Sequence, residues 1–123
     1  MRDGAESRRR VVVVEDDGDI AALLTDILET EGYAPIAVSD TAGLDDEIDH
    51  QRPDLVVLDL RLSRGGPEPI LRSLRAHGMA DVPILLLSAA SNLPERAREL
   101  GIARYLAKPF ELDEFIVLVR GLV

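Results

Sequence analysis

The stretch that decides the fold is Leu55-Val56-Val57-Leu58-Asp59, in which four apolar residues run directly into a carboxylate. A continuous apolar run of this length is typical of a strand that is buried on both faces, as in a parallel sheet covered by helices. A similar run ends at Val14, just before Glu15 and Asp16. Ligands of open parallel sheets bind at the carboxyl ends of the strands, so these three acids lie where chemistry is expected.

Apolar runs of strand length alternate with segments of helical period along the chain. We predict five strands, at residues 10–14, 34–38, 55–58, 84–87 and 103–106. The segments between them carry apolar residues at helical spacing, most clearly between Ile20 and Leu28. Asn92 and Glu95 are spaced as a capping box at the start of the fourth helix. The pattern predicts an α/β doubly wound fold, with helices on both faces of a parallel sheet.

Composition narrows the class of protein. The chain has 123 residues, 46% of them apolar, which is enough for one domain with its own core. We expect residues 1–8 to be a flexible tail and residues 9–123 to be the domain.

Without cysteine, disulfides and thiolate metal sites are excluded. A net charge of −9 disfavours direct binding of nucleic acid, and no apolar run could span a membrane, so we expect a cytoplasmic protein.

Polar residues follow four of the predicted strands. Glu15 and Asp16 follow the first strand and Asp59 follows the third, while Ser88 and Lys108 follow the fourth and fifth. Clustered carboxylates repel one another unless a cation neutralises them, and a few carboxylates with open positions suit Mg²⁺. A lysine and a hydroxyl facing such a metal can hold a phosphoryl group. Asp59 can then act as a nucleophile that forms an acyl phosphate.

These residues occur in motifs that resemble the receiver domains of two-component response regulators, of the chemotaxis-regulator type. The motifs are the apolar run ending in Glu15-Asp16, then Pro53 to Asp59, Leu87-Ser88-Ala89, and Tyr105 to Phe110. The resemblance covers residues 9–122. It implies a three-layer flavodoxin-like fold with strand order 2-1-3-4-5 and five helices.

The resemblance also implies roles for individual residues. Asp59 would be the phosphoacceptor, and Mg²⁺ would be bound by Asp16, Asp59 and the backbone carbonyl of Arg61, with Glu15 acting through water. Asp17 is expected to point outward. The bond between Lys108 and the following proline is usually cis in the family.

The remaining implied roles concern switching and partners. Ser88 would be the switch hydroxyl, Tyr105 the switch aromatic and Lys108 the phosphate-contacting lysine. The donor would be a sensor histidine kinase or a phosphotransfer protein. The output would be an effector domain or protein, or a homodimer, bound through the face of helix 4, strand 5 and helix 5. Leu118 and Leu122 are expected to add apolar area to that face, beyond the core stripe of the last helix.

Only self-phosphorylation and self-dephosphorylation are expected, so the chain is not predicted to be an enzyme. Three alternatives stay open. A haloacid-dehalogenase-type phosphatase usually has a second acid where this chain has Arg61, and a flavin carrier needs a hydroxyl-rich phosphate loop where it has Glu15, Asp16 and Asp17. A receiver that only docks, without phosphorylation, is the third. Gly65 and Gly66 predict a flexible loop after the third strand.

Overall fold

The computed structural model describes residues 8–60 and 65–123. In this part of the chain, five strands alternate with five helices. The strands are β1 (Arg10–Val14), β2 (Ala34–Val38), β3 (Leu55–Asp59), β4 (Ile84–Ser88) and β5 (Arg104–Ala107). The helices are α1 (Gly18–Thr30), α2 (Thr41–His50), α3 (Glu68–Ala76), α4 (Leu93–Leu100) and α5 (Leu112–Leu122).

The strands form one parallel sheet in the order β2-β1-β3-β4-β5, as predicted. The chain runs outward from β1 in one direction and then, after β2, crosses back to β3 on the other side of β1. In the register of these two strands, Val14 pairs with Leu58, so both strands reach the same edge. Their carboxyl ends are therefore neighbours at the point where the strand order reverses, which is the usual ligand site of such sheets.

Alternate residues of each central strand supply two separate cores. Val11 and Val13 face α1 and α5, whereas Val12 and Val14 face α2, α3 and α4. The first core also contains Leu24, Leu28, Leu55, Val57, Leu85, Leu87, Phe115 and Val119. The second contains Leu44, Ile48, Val56, Leu58, Ile70, Leu74, Leu86, Leu93 and Ala97. Burial on both faces explains why these strands read as continuous apolar runs.

The capping box predicted at Asn92 and Glu95 is wrong. Asn92 does occupy the N-cap of α4, but its side chain makes no capping hydrogen bond. Its backbone has φ −98° and ψ 26°, rather than the extended conformation from which an N-cap side chain reaches the helix amides. The structure instead forms a capping box at α5, where Glu111 is extended and its amide donates to Glu114 Oε1 at 3.0 Å.

The prediction for Leu118 and Leu122 is also wrong. Both side chains are partly buried and pack against the core between the sheet and α5. The reason is helical spacing, because each lies three residues after a fully buried position, Phe115 or Val119. The exposed apolar residue of this helix nearest to them is Val117, at 65% relative exposure.

Two further expectations concern the N-terminal tail and the loop after β3. Of the expected tail, residues 1–7 lie outside the described residues, and Arg8 is exposed. Gly65 and Gly66 both adopt positive φ, 71° and 66°, a conformation that other residues rarely adopt. In the described part of the chain, no helix is both long and apolar enough to cross a membrane.

Candidate functional site

Three carboxylates meet at the carboxyl edge of β1 and β3. Glu15 and Asp16 follow β1 directly, and Asp59 is the last residue of β3. One oxygen from each of the three lies within 4.8 Å of the others. Glu15 and Asp59 are buried, with 4% and 6% exposure, while Asp16 is open to solvent. This set of hard oxygen donors with an open side fits Mg²⁺, which keeps part of its water shell.

Lys108 approaches the carboxylates from β5. Its Nζ lies 3.3 Å from Glu15 Oε1 and 3.7 Å from Asp59 Oδ2. The backbone holds the residue in place, because its amide donates to the carbonyl of Ser88 at 2.8 Å. The peptide bond between Lys108 and Pro109 is cis, as expected. The ammonium is thus positioned to meet any anionic group carried by Asp59.

Burial and mutual repulsion raise the pKa of Glu15, even though the Lys108 ammonium lies nearby. The pKa of Glu15 is raised from 4.5 to about 7, first because the group is buried, and then because it shares a hydrogen bond with Asp59 and is repelled by that carboxylate. Lys108 and the amide of Asp17 oppose this rise. A dication would remove the repulsion and release the proton.

Ser88 and Tyr105 occupy contrasting environments. Ser88 ends β4 and is fully buried, and its Oγ accepts a hydrogen bond from the amide of Ala90 at 2.9 Å. The hydroxyl proton can still be donated to another acceptor. Tyr105 lies on the edge strand β5 with 41% exposure. Its ring is therefore accessible at the surface.

Asp17 has a function that the sequence analysis missed. Its carboxylate caps α1, since Oδ1 accepts from the amides of Asp19 at 3.0 Å and Ile20 at 3.2 Å. Its own amide donates to Glu15 Oε2 at 3.3 Å. An aspartate just before a helical period is a recognised N-cap signal, so this role could have been predicted. The residue fixes the turn that presents Glu15 and Asp16.

The carbonyl of Arg61, expected to be a metal ligand, lies outside the described residues. The other expected site residues lie on the strands or directly after them. Glu15 and Asp16 follow β1, Asp59 ends β3 and Ser88 ends β4. Tyr105 lies on β5 and Lys108 follows it. Of these, the structure brings Glu15, Asp16, Asp59 and Lys108 into one cluster and places Ser88 at the adjoining strand end.

Comparison with known proteins identifies relatives over most of the chain. The phosphate regulon transcriptional regulatory protein PhoB of Escherichia coli is 29% identical over 118 residues, which cover 94% of this chain and 52% of that protein. The response regulator MprA of Mycobacterium sp. (strain KMS) is 37% identical over 116 residues, 93% of this chain and 50% of that protein. The chain spans about half the length of the curated relatives it matches.

Solved structures share the fold. The chemotaxis protein CheY4 of Vibrio cholerae superposes with a TM-score of 0.84 at 18% identity, covering 95% of this chain and all of that one, and so supports the fold alone. A response regulator receiver protein from Burkholderia phymatum gives a TM-score of 0.83 at 27% identity, covering 94% of both chains. The family model described as the response regulator receiver domain matches residues 11–120. The chain therefore belongs to the response regulator receiver domain family.

Proposed function

We propose that this domain accepts a phosphoryl group on Asp59 from a sensor histidine kinase or phosphotransfer protein, in a Mg²⁺-dependent reaction. The observation that carries the proposal is the placement of Asp59. Its carboxylate is nearly buried, belongs to the acidic cluster and lies 3.7 Å from the ammonium of Lys108. The proposed nucleophile, the ammonium and the candidate metal-binding oxygens therefore meet at the carboxyl edge of the sheet.

In the proposed reaction, an Asp59 oxygen attacks the phosphorus of the donor. The bond from phosphorus to the donor nitrogen or oxygen breaks, and the donor leaves with that electron pair. Lys108 is placed to neutralise the transferred phosphoryl oxygens, because its ammonium already contacts Asp59. Mg²⁺, bound by Asp16, Asp59 and the Arg61 carbonyl with Glu15 acting through water, would supply further neutralisation of phosphoryl charge.

Switching is proposed to use Ser88 and Tyr105. The Ser88 hydroxyl can donate to a phosphoryl oxygen, which would draw the segment after β4 toward Asp59. The Ala90 amide would move with Ser88, since it donates a hydrogen bond to Ser88 Oγ. Tyr105, exposed on β5, would then turn inward and alter the face formed by α4, β5 and α5. An effector domain, an effector protein or a second copy of the chain would read this change.

Family membership decides against the phosphatase and the flavin carrier. It leaves open a receiver that only docks, which the phosphorylation experiment distinguishes from a receiver that is phosphorylated on Asp59. We place the domain in the cytoplasm, where its proposed phosphodonors are made, with no direct contact to nucleic acid or membrane. The net charge of −9 supports the absence of a nucleic-acid partner for this domain.

The test is labelling by acetyl phosphate with Mg²⁺, followed by intact-protein mass spectrometry. We expect one added phosphoryl group in the wild type and none in Asp59→Asn. Asp54→Asn is the matched control, because Asp54 immediately precedes the same strand at its other end. That variant should be labelled normally. Undiminished acyl phosphate on Asp59→Asn would contradict the assignment, and an unlabelled wild type would favour the docking-only receiver.

A second measurement tests the switch. Beryllofluoride, a phosphoryl mimic, should change partner binding or oligomeric state in the wild type but not in Ser88→Ala. If it binds at Asp59 and alters neither property, occupation of the phosphoryl site does not switch the domain, and the switching role of Ser88 and Tyr105 fails.

A further inference from the structure

An ion pair joins α4 to the start of α3. The Nη2 atom of Arg96, on α4, lies 3.0 Å from Oε2 of Glu68, the first residue of α3. The Nη1 atom of the same guanidinium lies 3.1 Å from Glu99 Oε1, one turn further along α4. Arg96 thus holds one carboxylate on its own helix and one on the neighbouring helix.

The pKa values of the two side chains are shifted in the directions expected for an ion pair. The pKa of Glu68 is lowered, mainly by the hydrogen bond from Arg96 and then by one from its own backbone amide. The pKa of Arg96 is raised, mainly by the hydrogen bond to Glu68 and then by that to Glu99. Arg72, one turn after Glu68, lowers the Glu68 pKa further through its charge. The Glu68 carboxylate therefore lies at the start of α3 and faces a cation on α4.

The position of the pair relates it to the phosphoryl site. On one side, α4 follows closely after Ser88, and the Arg96 amide donates to the carbonyl of Asn92 at 3.0 Å at the start of that helix. On the other side, Glu68 lies against Gly66, where an added Cβ would be 3.2 Å from Glu68 Oε1. The pair therefore connects the helix that follows the switch hydroxyl with the helix that follows the strand of the phosphoacceptor.

We propose that the Arg96–Glu68 ion pair is a latch that stabilises the unphosphorylated position of α4 against α3 and opens when the phosphoryl group draws Ser88 inward. The latch rests on the proposed function, because it acts only if Asp59 is phosphorylated. A contact made in the resting state alone lowers the apparent affinity for any ligand that favours the other state. Removing the contact must then raise the affinity for a phosphoryl mimic.

The sign of the effect separates a latch from simple electrostatics. Arg96→Gln removes a positive charge and Glu68→Gln removes a negative charge, so their long-range effects on an anionic ligand are opposite. Opening a latch gives both variants the same effect. We expect each to bind beryllofluoride about two- to fivefold more tightly than the wild type, the range that an exposed ion pair supplies.

The experiment is a titration of the whole chain with beryllofluoride in saturating Mg²⁺, monitored by the NMR shift of the Ala90 amide. Glu99→Gln is the matched control, because it removes a carboxylate from the same guanidinium without disconnecting the two helices. It should leave the affinity unchanged. The double variant Arg96→Gln with Glu68→Gln should match either single variant, since both remove one contact.

Each result decides the matter. Opposite shifts in the two single variants, or no shift in either, would overturn the latch while leaving phosphorylation of Asp59 intact. A wild type that binds no beryllofluoride would remove the proposed function and the latch together.

Discussion

Charged side chains are arranged in opposite ways at the two ends of the strands, the amino edge and the carboxyl edge of the sheet. At the amino edge, charges are matched one by one. The guanidinium of Arg10 lies 3.5 Å from Glu47, and the amide of Arg10 donates to Asp54 at 2.8 Å. Arg9 lies 3.9 Å from the same aspartate. This edge holds the start of β1 against α2 and the approach to β3, and its charges stabilise that arrangement.

At the carboxyl edge, like charges are placed together. Glu15 and Asp59 are buried side by side, with Asp16 beside them, and the pKa of Glu15 rises to about 7 as a result. Lys108 relieves part of the repulsion. The carboxyl edge is therefore suited to ligand binding rather than to stability, since a cation would offset its three carboxylates and an anion would offset the ammonium of Lys108.

The largest effect is expected from removing the ammonium of Lys108 at the carboxyl edge. We expect Lys108→Met to slow phosphorylation of Asp59 by acetyl phosphate at least ~100-fold, the usual loss when one preorganised charge at a reacting centre is removed. Arg104→Met is the control, since Arg104 begins the same strand and lies at the opposite end. It should change the rate by less than about twofold. Equal losses in the two variants would mean that net charge, rather than position, matters.

Removing a carboxylate should have opposite effects at the two edges. In metal-free protein at about pH 8, Glu15→Gln should stabilise the fold by about 1 to 3 kcal/mol, because it removes a buried repulsion. Glu47→Gln should destabilise it by about 0.5 to 1 kcal/mol, because it breaks the pair with Arg10. Urea unfolding in EDTA measures both. If both variants are destabilised, the carboxyl edge is not strained.

The pH dependence of that stabilisation has a definite sign. The folded pKa of Glu15, about 7, lies above its ordinary value of 4.5, so the folded chain holds a proton that the unfolded chain releases. The contribution of the Glu15 proton to the stability of the wild type is fully present below pH 4.5 and is lost as the pH rises through about 7. The advantage of Glu15→Gln should therefore shrink as the pH is lowered from about 8 to 5. An advantage that is constant with pH would rule out this origin.

Magnesium should reverse the strain. At about ten times its dissociation constant, Mg²⁺ should stabilise the wild type by about 1.4 kcal/mol, since we expect it to bind the folded state alone. Asp59→Asn should lose most of this gain, while Asp54→Asn should keep it. Thermal unfolding with Mg²⁺ and with EDTA makes the comparison. A gain that survives in Asp59→Asn would place the metal elsewhere.

Much of the fold could be predicted from the sequence, for a physical reason. Every central strand is buried on both faces, so its apolar run marks its length, and the predicted bounds agree with the structure to within one residue. Asp59 and Ser88 close β3 and β4, where the prediction placed them just beyond the strands. The convergence of Glu15, Asp16, Asp59 and Lys108 followed from the doubly wound sheet and from the strand order that the family resemblance implied.

Other features depend on geometry that a sequence does not contain. Asn92 has the residue type of an N-cap but not the backbone angles. Leu118 and Leu122 lie at helical spacing from core residues, but how far the buried stripe extends around α5 depends on the rotation of that helix against the sheet. The contact of Arg96 with Glu68 joins residues 28 positions apart on two helices, and no periodicity predicts it. The raised pKa of Glu15 likewise depends on burial.

The smallest expected effect lies at the amino edge. Arg9 and Asp54 are 3.9 Å apart with 63% and 40% of their side chains exposed, so water screens the pair and little free energy is gained by holding it together. We expect Arg9→Gln to change the free energy of unfolding by less than about 0.5 kcal/mol. The Asp54 carboxylate keeps its hydrogen bond from the Arg10 amide in that variant, so no buried group loses a partner. Urea unfolding in low and high salt provides the measurement, and the difference from wild type should vanish in high salt. A loss of 1 kcal/mol or more that shrinks in high salt would show that the matched charges of this edge act as a network rather than as separate pairs.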